Sequence, residues 1–256
     1  MGEPTLRVYL AGSIRLERGE VLLPESRLPG RQGRVAIAML AAEHGRAITT
    51  DELAEELWGG APPAAWEVAL RAIVSKLRAA LHEVGIDRHE AVAHAFGCYQ
   101  LHLPTDAWVD VEAAVDAIHR AETAIREGDL SDAMGWALAA NAIARRGFLP
   151  GEDGRWASRR RAELGTIRVR SLECRAQVQL RRGEHQAAVR DAELVVALEP
   201  FRETAHRLLM RAHAAAGNHA EALRAFERCR RTIAEELGAG PSAETESLYL
   251  EILRSA

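Results

Sequence analysis

Between Val68 and His82 the chain carries Arg71, Ser75, Lys76 and Arg78 and no acid. Arginine reaches guanine edges or phosphate oxygens, a serine hydroxyl bonds to either, and small residues such as Ala72 and Ala79 allow close approach. The chemistry available there is recognition of a polyanion rather than bond making. The same stretch spaces Leu70, Val74, Leu77 and Leu81 at i, i+4, i+7 and i+11, a single apolar stripe along a helix. The basic and small residues therefore fall away from the buried side. On an isolated helix they would be an ordinary solvated face, so the neighbouring elements must decide. Lys76, the only lysine in the chain, lies further round and reads equally as a phosphate contact or as idle charge. Ile73 reads as core or dimer packing before it reads as a contact to a thymine methyl.

Elsewhere the chemistry thins out. Arg31 and Arg34, at the start of an earlier helix, suit a phosphate clamp or plain surface charge equally well. Trp58 reads as a core residue at the end of the second helix. His206, His213 and His219 are seven and six residues apart, which is not the one-turn spacing of a ligand pair, so no metal is expected. The acids of DELAEEL form a solvated helix face, and Arg155 and Arg159 to Arg161 are mostly solvated. With no GxGxxG, P-loop, GxSxG or HExxH, the chain is expected to be non-enzymatic and to need no cofactor.

The elements around the basic helix support the DNA reading. Residues 5–28 alternate apolar and polar positions, with Leu6, Val8 and Leu10, Ile14 and Leu16, then Val21 and Leu23, which predicts a short antiparallel meander. A helix carrying Val35, Met39 and Leu40 follows Pro29-Gly30 and stops near Gly45. A second starts at Thr49 or Thr50 as N-cap, buries Leu53, Leu57 and Trp58, and ends at Gly59-Gly60. The basic helix then runs from Trp66 to about Val84, and residues 91–103 form two strands around Gly97. Three helices followed by a two-stranded wing make a winged helix-turn-helix.

From Trp108 onward no strand pattern appears. The segment RRGEHQAAVRDAELVVALEP overlays AAGNHAEALRAFERCRRTIA with Gly183 on Gly217, an offset of 34 residues. Ala188 matches Ala222, and an earlier copy puts Gly128 and Ala133 in the same places. This is the period of TPR-like helical repeats, in which a small residue lets paired helices pack closely. A last capping helix spans Ser242 to about Leu253.

Composition sets the bounds. The 256 residues are 48% hydrophobic and 27% charged, with 33 Lys+Arg against 37 Asp+Glu and a net charge of −4. A protein that coats nucleic acid is excluded, but a local basic face is not. No apolar run is long enough to span a bilayer, and the N-terminus lacks signal-peptide order. Cys98, Cys174 and Cys229 are widely spaced and read as reduced thiols. A cytoplasmic protein, nucleoid-associated when bound, is expected.

The segments PGRQGRVAIAML, DELAEELWGGAPP, ALRAIVSKLRAAL and FGCYQLHLP, followed by WVDVEAAV and the run from RETAHRLLMRAHAAAGNHAEAL to AEELGAGPSAETESLY, occur in an order that resembles a known family. It is the Streptomyces antibiotic regulatory protein (SARP) family, together with the N-terminal half of AfsR-like regulators. The likeness runs from about Leu6 to Leu253. It implies an OmpR-type winged helix in residues 1–105 and a TPR-like bacterial transcriptional activation domain in residues 106–256. It further implies an activator that binds promoter direct repeats as a homodimer and recruits RNA polymerase with its sigma factor. Carried over by position, the recognition contacts are Arg71, Ala72, Ser75, Lys76 and Arg78. Trp58 lies against a phosphate, the loop Gly59 to Ala65 turns toward polymerase, and the wing around Ala95 to Tyr99 approaches the minor groove. This wing departs from its basic relatives in offering His94, Gln100 and His102 but no arginine.

The expected fold is thus an α+β winged helix-turn-helix domain followed by an all-α, TPR-like repeat domain, with double-stranded DNA as partner and no membrane. The alternatives are a helical protein-interaction scaffold whose winged helix docks protein, and a regulator gated by a small molecule in the concave face of the repeats.

Overall fold

The computed structural model describes residues 4–88 and 90–255. The chain divides into two compact units, one made of residues 1–114 with 143–165, the other of 115–142 with 166–256. This division interleaves, whereas the limits 1–105 and 106–256 follow motifs along the sequence.

The first unit opens with the meander that the alternation predicts. Strands β1 (Leu6–Tyr9), β2 (Arg15–Arg18) and β3 (Val21–Pro24) pair antiparallel, with Val8 opposite Leu16 and Leu16 opposite Leu23, all buried. Helix α1 (Gly30–Ala42) buries Val35, Ile37, Met39 and Leu40. A two-residue strand β4 (Ile48–Thr49) leads into helix α2 (Thr50–Trp58). Thr49 is the N-cap: its hydroxyl accepts the Glu52 N–H, and the Glu52 carboxylate accepts the Thr49 N–H, a complete capping box. Helix α3 (Trp66–Glu83) buries the whole predicted stripe, Leu70, Val74, Leu77 and Leu81, each at 1% exposure or less. The hairpin follows as β5 (Val92–Ala95) and β6 (Cys98–Leu101), with β4 pairing on the outer side of β6.

Two short strands escape the period-two reading. One is β4. The other, β7 (Trp108–Val109), lies where the sequence predicts no strand, and pairs parallel with β1, Arg7 opposite Trp108 and Val8 opposite Val109. Two residues are too few to show an alternation. The next residue, Asp110, is fully buried, and its carboxylate accepts the N–H groups of Leu10 at 2.8 Å and Ala11 at 3.1 Å. Burial pushes its pKa up even so, against these bonds.

Residues 143–165 complete this unit. Phe148 bridges to Ala11 and meets Trp156 edge to face at 5.3 Å. The Trp156 indole N–H donates to Glu43 at 2.9 Å, and its backbone N–H donates to Glu56 at 2.7 Å. Gly154 admits this approach, since a Cβ there would stand 2.2 Å from a Glu56 carboxylate oxygen.

The second unit is helical. It takes most of α4 (Asp110–Glu127) and α5 (Leu130–Ala144), the later part of α6 (Arg155–Arg181), and α7 (His185–Leu198), α8 (Glu203–Ala215), α9 (His219–Leu237) and α10 (Ala243–Ser255). The 34-residue offset is a structural repeat. Gly183 and Gly217 both turn the chain at φ +77° and Gly128 at +82°, and five residues on, Ala133, Ala188 and Ala222 are each fully buried. Glu122 and Arg170 pair through two 2.7 Å bonds. At the start of α10, Ser242 and Thr245 donate to the Glu203 carboxylate. Among the described residues no helix is long and apolar enough to cross a membrane.

Candidate nucleic-acid interface

Helix α3 is held by its apolar stripe, which decides what its other side offers. Arg71, Ala72, Ser75 and Lys76 are exposed, and Arg78 is half-buried. Arg71 is 62% exposed and lies 4.0 Å from Glu67, one turn back, a distance that leaves its guanidinium available. Among the described residues, Lys76 has no hydrogen-bond or ion-pair partner.

Arg78 has a second task. Its Nε and Nη2 both donate to the carbonyl of Val92, at 3.0 and 2.5 Å, so one guanidinium ties α3 to the first strand of the hairpin. Two of five N–H donors are thereby used, and three remain for a ligand. Ser75, Lys76, Arg78, Ala79, Arg88 and His94 line an open groove of about 590 Å³ between helix and hairpin. His94 stacks on Tyr99 across the hairpin at 4.4 Å. Burial pushes the Tyr99 hydroxyl pKa up, opposed by the nearby charges of Arg78 and Arg71.

Arg88 is the member of this groove that sequence reasoning missed. It stands alone in the loop IDRHE, in no periodic pattern. Its one signal is that it is the only basic side chain other than histidine between α3 and the hairpin.

The remaining candidates do not line this groove. Arg34 is only 16% exposed; its guanidinium lies 2.9 Å from Glu25, 3.0 Å from Glu152 and 3.1 Å from the Pro150 carbonyl. Arg31, 54% exposed, pairs with the other oxygen of Glu152 at 2.7 Å. Glu152 is itself buried, so both arginines of α1 neutralise an internal carboxylate. Trp58, the last residue of α2, is half-buried, and residues 59–65 after it are exposed throughout.

The model of the bacterial transcriptional activator domain matches residues 109–253. The chain is 33% identical to the regulatory protein AfsR of Streptomyces coelicolor over 251 residues, 98% of this chain and 24% of AfsR. It is 28% identical to the regulatory protein DnrI of Streptomyces peucetius, across 88% of this chain and 85% of DnrI. The chain thus spans about a quarter of the length of the AfsR proteins it matches. Among solved structures, EmbR of Mycobacterium tuberculosis, in complex with a low-affinity phosphopeptide, superposes with a TM-score of 0.87 at 26% identity, covering 99% of this chain and 66% of EmbR. AfsR and DnrI are regulatory proteins by name, and EmbR a transcriptional regulatory protein. An N-terminal sheet and helices followed by helical repeats, matched over most of their length by such regulators, place the chain in the SARP and AfsR-type family of transcriptional regulators built on the bacterial transcriptional activator domain.

Proposed function

We propose that residues 1–105 are an OmpR-type winged helix and that the protein is a sequence-specific activator. It binds promoter direct repeats as a homodimer and recruits RNA polymerase with its sigma factor. The observation that carries this reading is α3 itself. Its buried stripe leaves Arg71, Ala72, Ser75 and Lys76 outward beside a groove walled by Arg78, Arg88 and His94. A helix so presented fits the major groove, with Arg71 and Ser75 at base edges and Lys76 and Arg88 on phosphates. Arg31 and Arg34 then act by holding α1 to Glu152, and Arg31, more exposed, has the freer guanidinium for a phosphate. Trp58 and the exposed loop Gly59 to Ala65 offer a backbone contact and a surface for polymerase.

The test is selection of bound duplexes from genomic fragments, then titration at controlled salt. Arg71→Ala is expected to lose about 1–3 kcal/mol on the selected site and to relax specificity there. For about six phosphates across a dimer, log K is expected to fall by ~5 per decade of salt. Binding by Arg71→Ala indistinguishable from wild type removes α3 as the reading helix.

A further inference from the structure

We propose that Phe96, at the tip of the hairpin, is an apolar wedge that enters the DNA minor groove next to the reading helix; this rests on the DNA-binding reading above. Phe96 and Gly97 are the two residues of the β5–β6 turn, with φ +51° and +73°. Positive φ at both central positions marks a type I′ turn, which ordinarily takes asparagine, aspartate or glycine first. A bulky side chain held there is strained. The ring is also fully exposed, at 104%. The other non-glycine residue at positive φ among those described, Leu149, is completely buried, so packing offsets its strain. Among the described residues nothing does the same for Phe96. Strain and exposure at one residue point to a ligand.

The surroundings say which ligand. The tip is held in place, because the Gly97 carbonyl accepts the Thr50 N–H at 2.9 Å and Arg78 grips the base of the hairpin. The groove with Lys76, Arg78, Arg88 and His94 lies between α3 and the hairpin, and a strand of phosphates seated there separates the two elements. With α3 in the major groove, the far side of that strand is the minor groove, where the tip then falls. Ala93, Ala95 and Gly97 keep the hairpin thin enough for a cleft about 6 Å wide. From Ala91 to Thr105 the chain has no acid to repel phosphate and no lysine or arginine to read the groove by charge. The aromatic face of Phe96, against deoxyribose or between two base steps, is the contact left, and such wedges kink the duplex.

The experiment compares the full chain with Phe96→Ala and Phe96→Asn on duplexes that the wild-type protein selects from a random pool. Affinity, its salt dependence, duplex bending in a circular-permutation gel, melting temperature and self-association by sedimentation are all measured. Both variants are expected to bind ~10-fold or more weakly and to bend the duplex less, with the salt slope unchanged. Phe96→Asn is expected to melt higher than wild type, since asparagine suits the left-handed backbone. Wild-type affinity and bending in Phe96→Ala, on DNA that the wild type binds, overturns the wedge and leaves the DNA reading standing. Loss of self-association with intact DNA binding overturns it too, and makes Phe96 a contact between copies. A wild-type chain that selects no duplex removes the DNA reading, and the wedge with it.

Discussion

Arg78 and His213 differ in what surrounds them, and their predicted variants differ accordingly. Arg78→Lys keeps the charge at α3 but cannot donate twice to the Val92 carbonyl with the planar fork of a guanidinium. It is expected to weaken DNA binding while leaving the salt slope nearly intact, as read in parallel titrations. Arg88→Ala is expected to lower that slope by roughly one phosphate's worth, with little change in sequence preference. His213 is 7% exposed, and among the described residues its Nδ1 has no hydrogen-bond partner. Burial lowers its pKa below the ordinary 6.5; Glu193 and Glu221 pull it up and Arg228 pushes it down. A histidine whose native pKa is depressed binds fewer protons folded than unfolded. Stability is therefore complete above pH 6.5 and falls as pH drops from there toward the native value. Thermal melts across that window are expected to decline for the wild type and to flatten for His213→Phe. Cys174 and Cys229, pushed up to about 12 and about 11 by burial, stay protonated thiols throughout it.

Elements long enough to repeat a pattern were legible in the sequence, and elements that exist through one or two contacts were not. The stripe Leu70, Val74, Leu77 and Leu81 spans most of α3, so both its buried side and its basic side follow from spacing. The Thr49–Glu52 box needs no tertiary knowledge to read as a helix start. Thr49→Ala is expected to cost about 0.5–2 kcal/mol in denaturant unfolding. The repeat alanines are equally readable, and Ala222→Leu, which forces a larger side chain into a closed helix pair, is expected to cost about 1–3 kcal/mol. In contrast, β4 and β7 are two residues each, defined by partners far along the chain. Arg34 shows the same limit within the candidate site. Its position at the head of α1 is legible, but its engagement with Glu152, 118 residues later, is not.

At the scale of the whole molecule, the first unit depends on parts that a motif boundary would remove. A fragment ending at Thr105 lacks β7, the Asp110 carboxylate that takes two backbone N–H groups, and the Glu152 carboxylate that neutralises Arg31 and Arg34. It is expected to melt well below the full chain and to expose the edge of β1, with residues 1–165 recovering more of the cooperativity in calorimetry. The same wiring governs synthesis. The Leu10–Asp110, Trp156–Glu43 and Arg34–Glu152 contacts close over 100, 113 and 118 residues. On the ribosome, the usual order, in which an N-terminal body finishes before the next begins, cannot apply here. The meander and the first three helices complete their packing only once translation has passed Gly165, and a pause before that codon leaves the edge of β1 and the Glu152 partners uncovered and open to aggregation.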